Sequence, residues 1–379
     1  MEAGTMTPRQ RMLAAYQGRP IDTIPVAPEF WYYVPARVLD IPMYELELDV
    51  PHWRALLETF RHYGCEGWGI VAPDEPEGWA NREVEIAETA PGRFERREVV
   101  KSLGRSLTSR SILDQTEPSW VVERPIKDFA LDWPAYEAVA LIPPEELDWS
   151  PVQRALDVVG EDYLLEVYVG LPFVDFAGYP REGGLEQVIM DLYDHPDEMR
   201  ALQERYIDYL VRKIHAAFAN TSARSIFIAS MWSTMSLLSP EIWRTWDKPV
   251  LEAAVEAAHA CGGLIHHHFH GRCMAVLPEL ADLGLDCICP FERPPGGDVT
   301  DLGVVRAALA DRTTFNGNVH TVETLIRGTP TDVRREVLEI LATFEGSSRL
   351  IVGTGDQVGA ETPDENIHAM IETVREHGV

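Results

Sequence analysis

Eight short apolar runs, most of them separated by stretches of helical periodicity, constrain this chain more than any other feature. They fall at residues 24–30, 65–72, 163–169, 225–229, 263–270, 285–291, 313–319 and 349–353. Short runs rich in Val, Ile and aromatic side chains that do not alternate with polar residues read as strands buried on both faces. The stretches between them carry helix signals. Thr7-Pro8 opens a helix with Met12, Leu13 and Tyr16 on one side, Leu185–Phe218 is broken at His195-Pro196, and Pro249–Ala260 places Val250, Ala254, Val255 and Ala258 at helical spacing. Ser239-Pro240, Thr329-Pro330 and Thr362-Pro363-Asp364-Glu365 read as capped helix starts, the last as a capping box. Eight strand–helix units predict an α/β fold, a (β/α)₈ barrel that takes residues 1–379 as a single domain. The competing doubly wound sheet lacks its usual Gly-x-Gly-x-x-Gly turn after the early strands. Between residues 82 and 112 the pattern changes. Val84–Ala87, Phe94–Lys101 and Ser106–Ser111 alternate, with Pro91-Gly92 and Gly104 between them, which predicts an inserted antiparallel excursion.

Charge and cysteine usage narrow the function classes. A formal net charge of -28 argues against nucleic acid or an anionic membrane as partner. The five cysteines, Cys65, Cys261, Cys273, Cys287 and Cys289, are too sparse for a disulfide scaffold and fit a reducing compartment. Met1–Gln17 is polar and helical rather than a leader peptide, and no apolar run approaches the ~18 residues of a membrane span. A cytoplasmic protein is the expectation.

In a barrel the chemistry sits where strands end. That rule selects Glu29, Asp74, Tyr168, Trp232, His268, His270, Glu292, Asn318, His320 and Asp356. The run Gly262-Gly-Leu-Ile-His-His-His-Phe-His-Gly271 stands out among them. Side chains alternate along a strand, so His266, His268 and His270 share one face, with His267 and Phe269 on the other. Two imidazoles on one face can converge on one metal ion; hydrogen-bonded core histidines are the bland alternative. With Glu292 or Asp356 from later strand ends, the set suits Zn²⁺, Fe²⁺ or Mn²⁺. Glu292 reads equally as a solvated residue before Pro294-Pro295, and Asp356 as a loop residue. Cys287 and Cys289 share a face; a Cys-x-Cys pair can bind soft metals, but small buried hydrophobes are the leading reading. Cys273 lies in the first turn of a helix, where a thiolate is favoured, yet no base is paired with it. Trp31, Tyr32 and Tyr33 suit the rim of an apolar pocket or the core.

Several segments together resemble the uroporphyrinogen decarboxylase superfamily, which also holds zinc-dependent, corrinoid-linked methyltransferases. They are Leu264-Ile-His-His-His-Phe-His-Gly271, Phe315-Asn-Gly-Asn-Val319, Leu325-Ile-Arg-Gly-Thr-Pro330 with Val333–Val337, and Gly353-Thr-Gly-Asp356 leading to Thr362-Pro-Asp-Glu-Asn-Ile367. Leu192-Tyr-Asp-His-Pro196 and Leu238-Ser-Pro-Glu-Ile242 fit as well. The resemblance implies a (β/α)₈ barrel with its site in the C-terminal mouth. The methyltransferase branch looks like His-x-Cys-Gly in strand five with a further Cys after strand eight. The matching positions here are His268, His270 and Asp356, which implies harder N/O ligands. Pro290–Asp298 resembles a branch with His-x-His-Gly, and there Glu292 is implied as a fourth ligand. The decarboxylase branch looks like an arginine-bearing loop after strand one and an aspartate after strand two. This chain offers Arg37 as the one cation of its first loop, and Asp74 as the nearest match to the aspartate.

The resemblance implies methyl or small alkyl transfer assisted by a divalent metal, zinc first. A corrinoid carried by a partner protein would dock over the mouth, and a small molecule would be the substrate. Asp74, Tyr168 and Asn318 are the expected catalytic residues. Glu29, Arg37, Trp232 and His320 are expected to bind substrate, and His268, His270, Glu292 and Asp356 to hold the metal. Decarboxylation of a tetrapyrrole or other carboxylate with Asp74 and Arg37 is the alternative, and a non-catalytic metal- or ligand-binding barrel is a third reading. A homodimer is compatible with all three.

Overall fold

The computed structural model describes residues 5–378. Along the chain, β1 (Val26–Ala27) and β2 (Trp68–Val71) precede an excursion formed by β3 (Asn81–Ala90), β4 (Arg93–Ser102), β5 (Arg105–Leu113) and β6 (Trp120–Glu123). The main sheet resumes with β7 (Leu164–Gly170), β8 (Ser225–Ser230), β9 (Leu264–Phe269), β10 (Cys287–Pro290), β11 (Thr314–Val319) and β12 (Leu350–Thr354). The spatial order is β1-β12-β11-β10-β9-β8-β7-β2, with every ladder parallel. That is the eightfold α/β barrel expected from the alternation. At its seam the Val26 N–H donates to Glu66 Oε2 (3.0 Å), so a side chain ties β1 to the chain entering β2.

Most strand expectations are met to within one or two residues. The first shrinks to Val26–Ala27, because Pro25 and Pro28 bracket it and neither can donate to a ladder. The excursion extends past residue 112 to Glu123 with a fourth antiparallel strand, β6. All ten residues of β3 are exposed, and the helix Phe129–Ala140 contacts β4 and β5. Helix Asp364–His377 starts after Pro363, with Thr362 buried, so the expected Thr362 capping box does not form. The boxes that form are Thr7 with Gln10 and Thr329 with Asp332.

The helix Pro8–Tyr16 closes the barrel floor. Met12, Ala15 and Tyr16 are buried with Trp68, Leu164, Phe227, Cys287 and Ile351. Thr314 Oγ1 donates to the Ala15 carbonyl (2.8 Å). Arg11 anchors this plug, donating to Asp22 at 2.7 and 2.9 Å and to Glu66 at the seam. The Arg11 hydrogen bond pulls the Asp22 carboxyl from 3.8 down to about 2. A carboxyl whose folded pKa is depressed contributes stability above its unfolded pKa, and loses it as pH falls from about 4 to about 2. The contribution is about 2 kcal/mol over the whole window. Denaturant midpoints at pH 5 and pH 3 are therefore expected to fall further for the natural chain than for Asp22→Asn. Equal falls would contradict this role for Asp22.

Candidate metal centre

β9 sits in the middle of the sheet, between β8 and β10, and is the element that places the imidazoles. His266 and His268 point into the barrel. His267 points out, with Nδ1 3.1 Å from the Ile228 carbonyl and Nε2 3.3 Å from Ser230 Oγ. His270 follows the strand end and shares the inward direction, its ring 6.1 Å from that of His268 and nearly parallel to it. The expected alternation of faces is thus met.

Burial pushes the His268 imidazole well below its ordinary pKa, and the neighbouring histidines push the same way. A neutral ring is the form that binds metal. His270 is held the other way. The Glu292 carboxylate beside it, with help from Asp356, lifts it to about 9. Its Nδ1 lies 2.9 Å from Glu292 Oε1 and 3.6 Å from Asp356 Oδ2. Acids that favour a proton this strongly also favour a divalent cation at the same place.

Three carboxylates converge here from different strands. Glu29 follows β1; its N–H donates to Thr354 Oγ1 (3.0 Å), and its carboxylate accepts the Trp31 indole N–H. Burial raises its pKa well above the ordinary range, with Asp356 repulsion adding to it. Glu292 follows β10 and accepts the Gly271 N–H. Asp356 follows β12 at φ +136°, a backbone region nearly confined to glycine. Such strain concentrates at functional sites. Ligand atoms of His268, His270 and Asp356 lie within 4.8 Å of one another, as do those of Glu29, His268 and Cys289. This donor set fits a divalent metal: buried acids cost heavily unless a cation compensates them.

The acids and imidazoles open into a cavity of about 650 Å³ whose walls include Trp31, Tyr32, Tyr168, Tyr179, Phe227 and Met231. It adjoins a second cavity of about 660 Å³ along Leu46–His52, with Trp31, Tyr32, Ile70 and Tyr168 common to both. Neither wall carries a Lys or Arg among the described residues.

Glu29, Tyr168, His268, His270 and Asp356 therefore meet at one cavity, with Glu292 against His270 behind them. Asn318 is buried below and donates to the Phe291 carbonyl (2.7 Å), which ties β11 to the turn carrying Glu292. Four expected residues lie elsewhere. Asp74 is exposed, and its backbone pairs with Asp148. Arg37 forms an ion pair with Asp364 (2.8 Å) and donates to the Thr362 carbonyl, outside the cavity. Trp232 stacks on the back of Tyr179 at 4.5 Å, under the Arg124 guanidinium. His320 caps a helical turn, its Nδ1 accepting the Val322 and Glu323 N–H groups and its Nε2 donating to the Pro294 carbonyl. Strand-end position marks Asp74, Trp232 and His320, and the family resemblance marks Arg37, but neither carries information on where the loops turn. Cys273, expected in a thiolate-favouring turn, is buried, which pushes its thiol up. Tyr179 escaped notice because it follows a short helix, Phe173–Gly178, rather than a strand. Cys289, for which the sequence favours a hydrophobic role over a soft-metal one, is set beside His268 by the strand register.

Residues 152–377 match the family model described as uroporphyrinogen decarboxylase (URO-D). The uroporphyrinogen decarboxylase of Psychromonas ingrahamii is 23% identical over 233 residues, covering 56% of this chain and 60% of that protein. A methylated-thiol–coenzyme M methyltransferase of Methanosarcina mazei is 25% identical over 264 residues, covering 65% and 67%. A uroporphyrinogen decarboxylase of Thermus thermophilus is 25% identical over 268 residues, covering 68% and 71%. The matches thus span 60 to 71% of these relatives' own lengths. Among solved structures, a methyltransferase from Methanosarcina mazei shares the fold, with a TM-score of 0.68 at 18% identity over 98% of this chain and 99% of that one.

Proposed function

Since the chain belongs to the uroporphyrinogen decarboxylase family, whose members among its relatives include both decarboxylases and a methyltransferase, we propose that it is a metal-dependent methyl or small alkyl transferase. The observation that carries this reading is the charge of the cavity: acids and imidazoles at its base, aromatic walls, and no Lys or Arg among its described lining residues. A substrate with several carboxylates needs cations to hold it, and such a wall repels it. Neutral or cationic methyl donors fit the same wall, because aromatic faces attract methylated cationic centres.

In this reading His268 and His270 hold a divalent metal, zinc first, with Asp356 and Glu292 as further donors. When bound, it supplies a Lewis acid that lowers the pKa of an acceptor or polarises a donor. The chain's own residues do the rest. Trp31, Tyr32, Tyr168 and Tyr179 enclose the substrate and exclude water, and Tyr168 presents a phenol that burial keeps protonated. Glu292 and Asp356 set the ring direction of His270. Asn318 fixes the strand end beside them. The corrinoid is carried by a separate protein that covers the mouth. No helix among the described residues is long and apolar enough to cross a membrane.

Decarboxylation is the less favoured reading because Arg37 and Asp74 both lie outside the cavity. The experiment that separates the two supplies the zinc-loaded chain with reduced cobalamin and a panel of methylated amines, thioethers and aryl methyl ethers. Chelator-sensitive formation of methylated cobalamin from at least one donor is expected. Chelator-insensitive turnover of uroporphyrinogen, with no methyl transfer from any donor, would overturn the assignment.

A further inference from the structure

We propose that Cys289 is a thiolate ligand to the metal, so that the cation sits on the inner side of His268, between Glu29, His268 and Cys289. This rests on the metal-dependent reading above and shifts its cation from the His270 side of His268 to the Glu29 side, where the neighbouring strand supplies a soft donor. The β9–β10 register sets Cys289 directly beside His268, and the two inward-facing side chains approach to 3.4 Å between Sγ and Nδ1. Glu29 Oε1 lies 3.8 Å from the same nitrogen. The three donors are mutually within 4.8 Å and all are buried. Three protein donors with the cavity on the remaining side leave an open position, the arrangement of catalytic rather than structural zinc. One thiolate, one imidazole and one carboxylate also select zinc over magnesium or calcium, which take oxygen alone.

A second buried chain stands behind the thiol. His266 Nε2 lies 3.1 Å from Cys289 Sγ, and its Nδ1 lies 2.9 Å from Glu166 Oε2 and 3.0 Å from the Tyr16 hydroxyl. Ser225 donates to the other Glu166 oxygen at 2.6 Å. With Nδ1–H donated to Glu166, His266 Nε2 is the acceptor that faces the thiol. Cys289 would hold the cation as a soft donor, with His266 and Glu166 as the hydrogen-bonded groups that orient its sulfur. A structural role for Cys289 as a small hydrophobe accounts for its burial but not for two imidazoles aimed at its sulfur.

The test is the spectrum of the cobalt(II)-loaded full-length chain. A sulfur-to-cobalt charge-transfer band in the near ultraviolet is expected. It should vanish in Cys289→Ser and Cys289→Ala, persist in Cys273→Ala and His270→Ala, and be lost in His268→Ala. Zinc affinity should fall at least about tenfold in Cys289→Ser. Cobalt bound with visible bands but no charge-transfer band would overturn the thiolate while leaving the metal-dependent reading intact. A band that survives in Cys289→Ala would also overturn it. No cobalt uptake would remove both. The unmodified chain's own spectrum decides the matter even if a variant folds poorly.

Discussion

Alanine at both His268 and His270 is expected to leave the chain folded and nearly free of divalent metal. Replacing residues that only orient ligands costs about 10–100-fold in metal affinity, so removing two imidazoles should exceed the upper end of that range. His268 pairs through its backbone with Ala229 of β8 and Cys289 of β10, His270 follows the strand end, and neither ring takes part in the strand pairing. The ladder and the barrel floor do not depend on them. Elemental analysis after identical loading and desalting, beside a thermal melt of each protein, checks the expectation. Equal metal content in the two proteins would remove the metal centre, while a collapsed melt would show that the imidazoles serve packing instead.

The second large effect is expected at Asp175, a residue that touches neither metal donors nor substrate. Its carboxylate is fully buried and accepts the N–H groups of Met231, Trp232 and Ser233 at 3.0, 2.8 and 3.2 Å. This holds the loop after β8, which carries Met231 into the cavity wall. Asp175→Ala removes the acceptor from three donors at once. An unsatisfied buried donor costs about 1–3 kcal/mol, and with water entering the gap a total loss of about 3–5 kcal/mol is expected. Asp175→Asn, which keeps one acceptor oxygen, should lose less. Burial raises the Asp175 pKa from 3.8 to about 6. A carboxyl raised on folding favours the folded state below its unfolded pKa, and that advantage declines as pH rises from about 4 to about 6. Urea denaturation of the three proteins across that range checks both the ranking and the sign. Indistinguishable midpoints for Asp175→Ala and the natural chain would refute the role.

Several features of the site were readable before any fold was known. The two-residue period of a strand is a local property, so Leu264–Phe269 dictated which histidines share a face. The strand-end rule then nominated Glu29, Tyr168, His268, His270 and Asp356, which line one cavity. The same rule nominated Asp74, Trp232 and His320, and the family resemblance implied Arg37; the fold carries all four elsewhere. Arg37 illustrates why. It lies on the helix Tyr33–Leu39, and Asp364 from the last helix pairs with it. No local pattern encodes a partner 327 residues away.

What the amino-acid order determined by itself was the barrel and its histidine strand. Both follow from periodicity and from turn and cap residues that act over a few positions. What only the tertiary structure decided was which acids, thiols and aromatic rings surround those histidines. Cys289 meets His268 through the register of two parallel strands, and Glu29 meets them only because the sheet curls until β1 lies beside β12. Contacts of that kind depend on closure of the whole sheet, and closure is a property of all eight strands together rather than of any stretch of sequence.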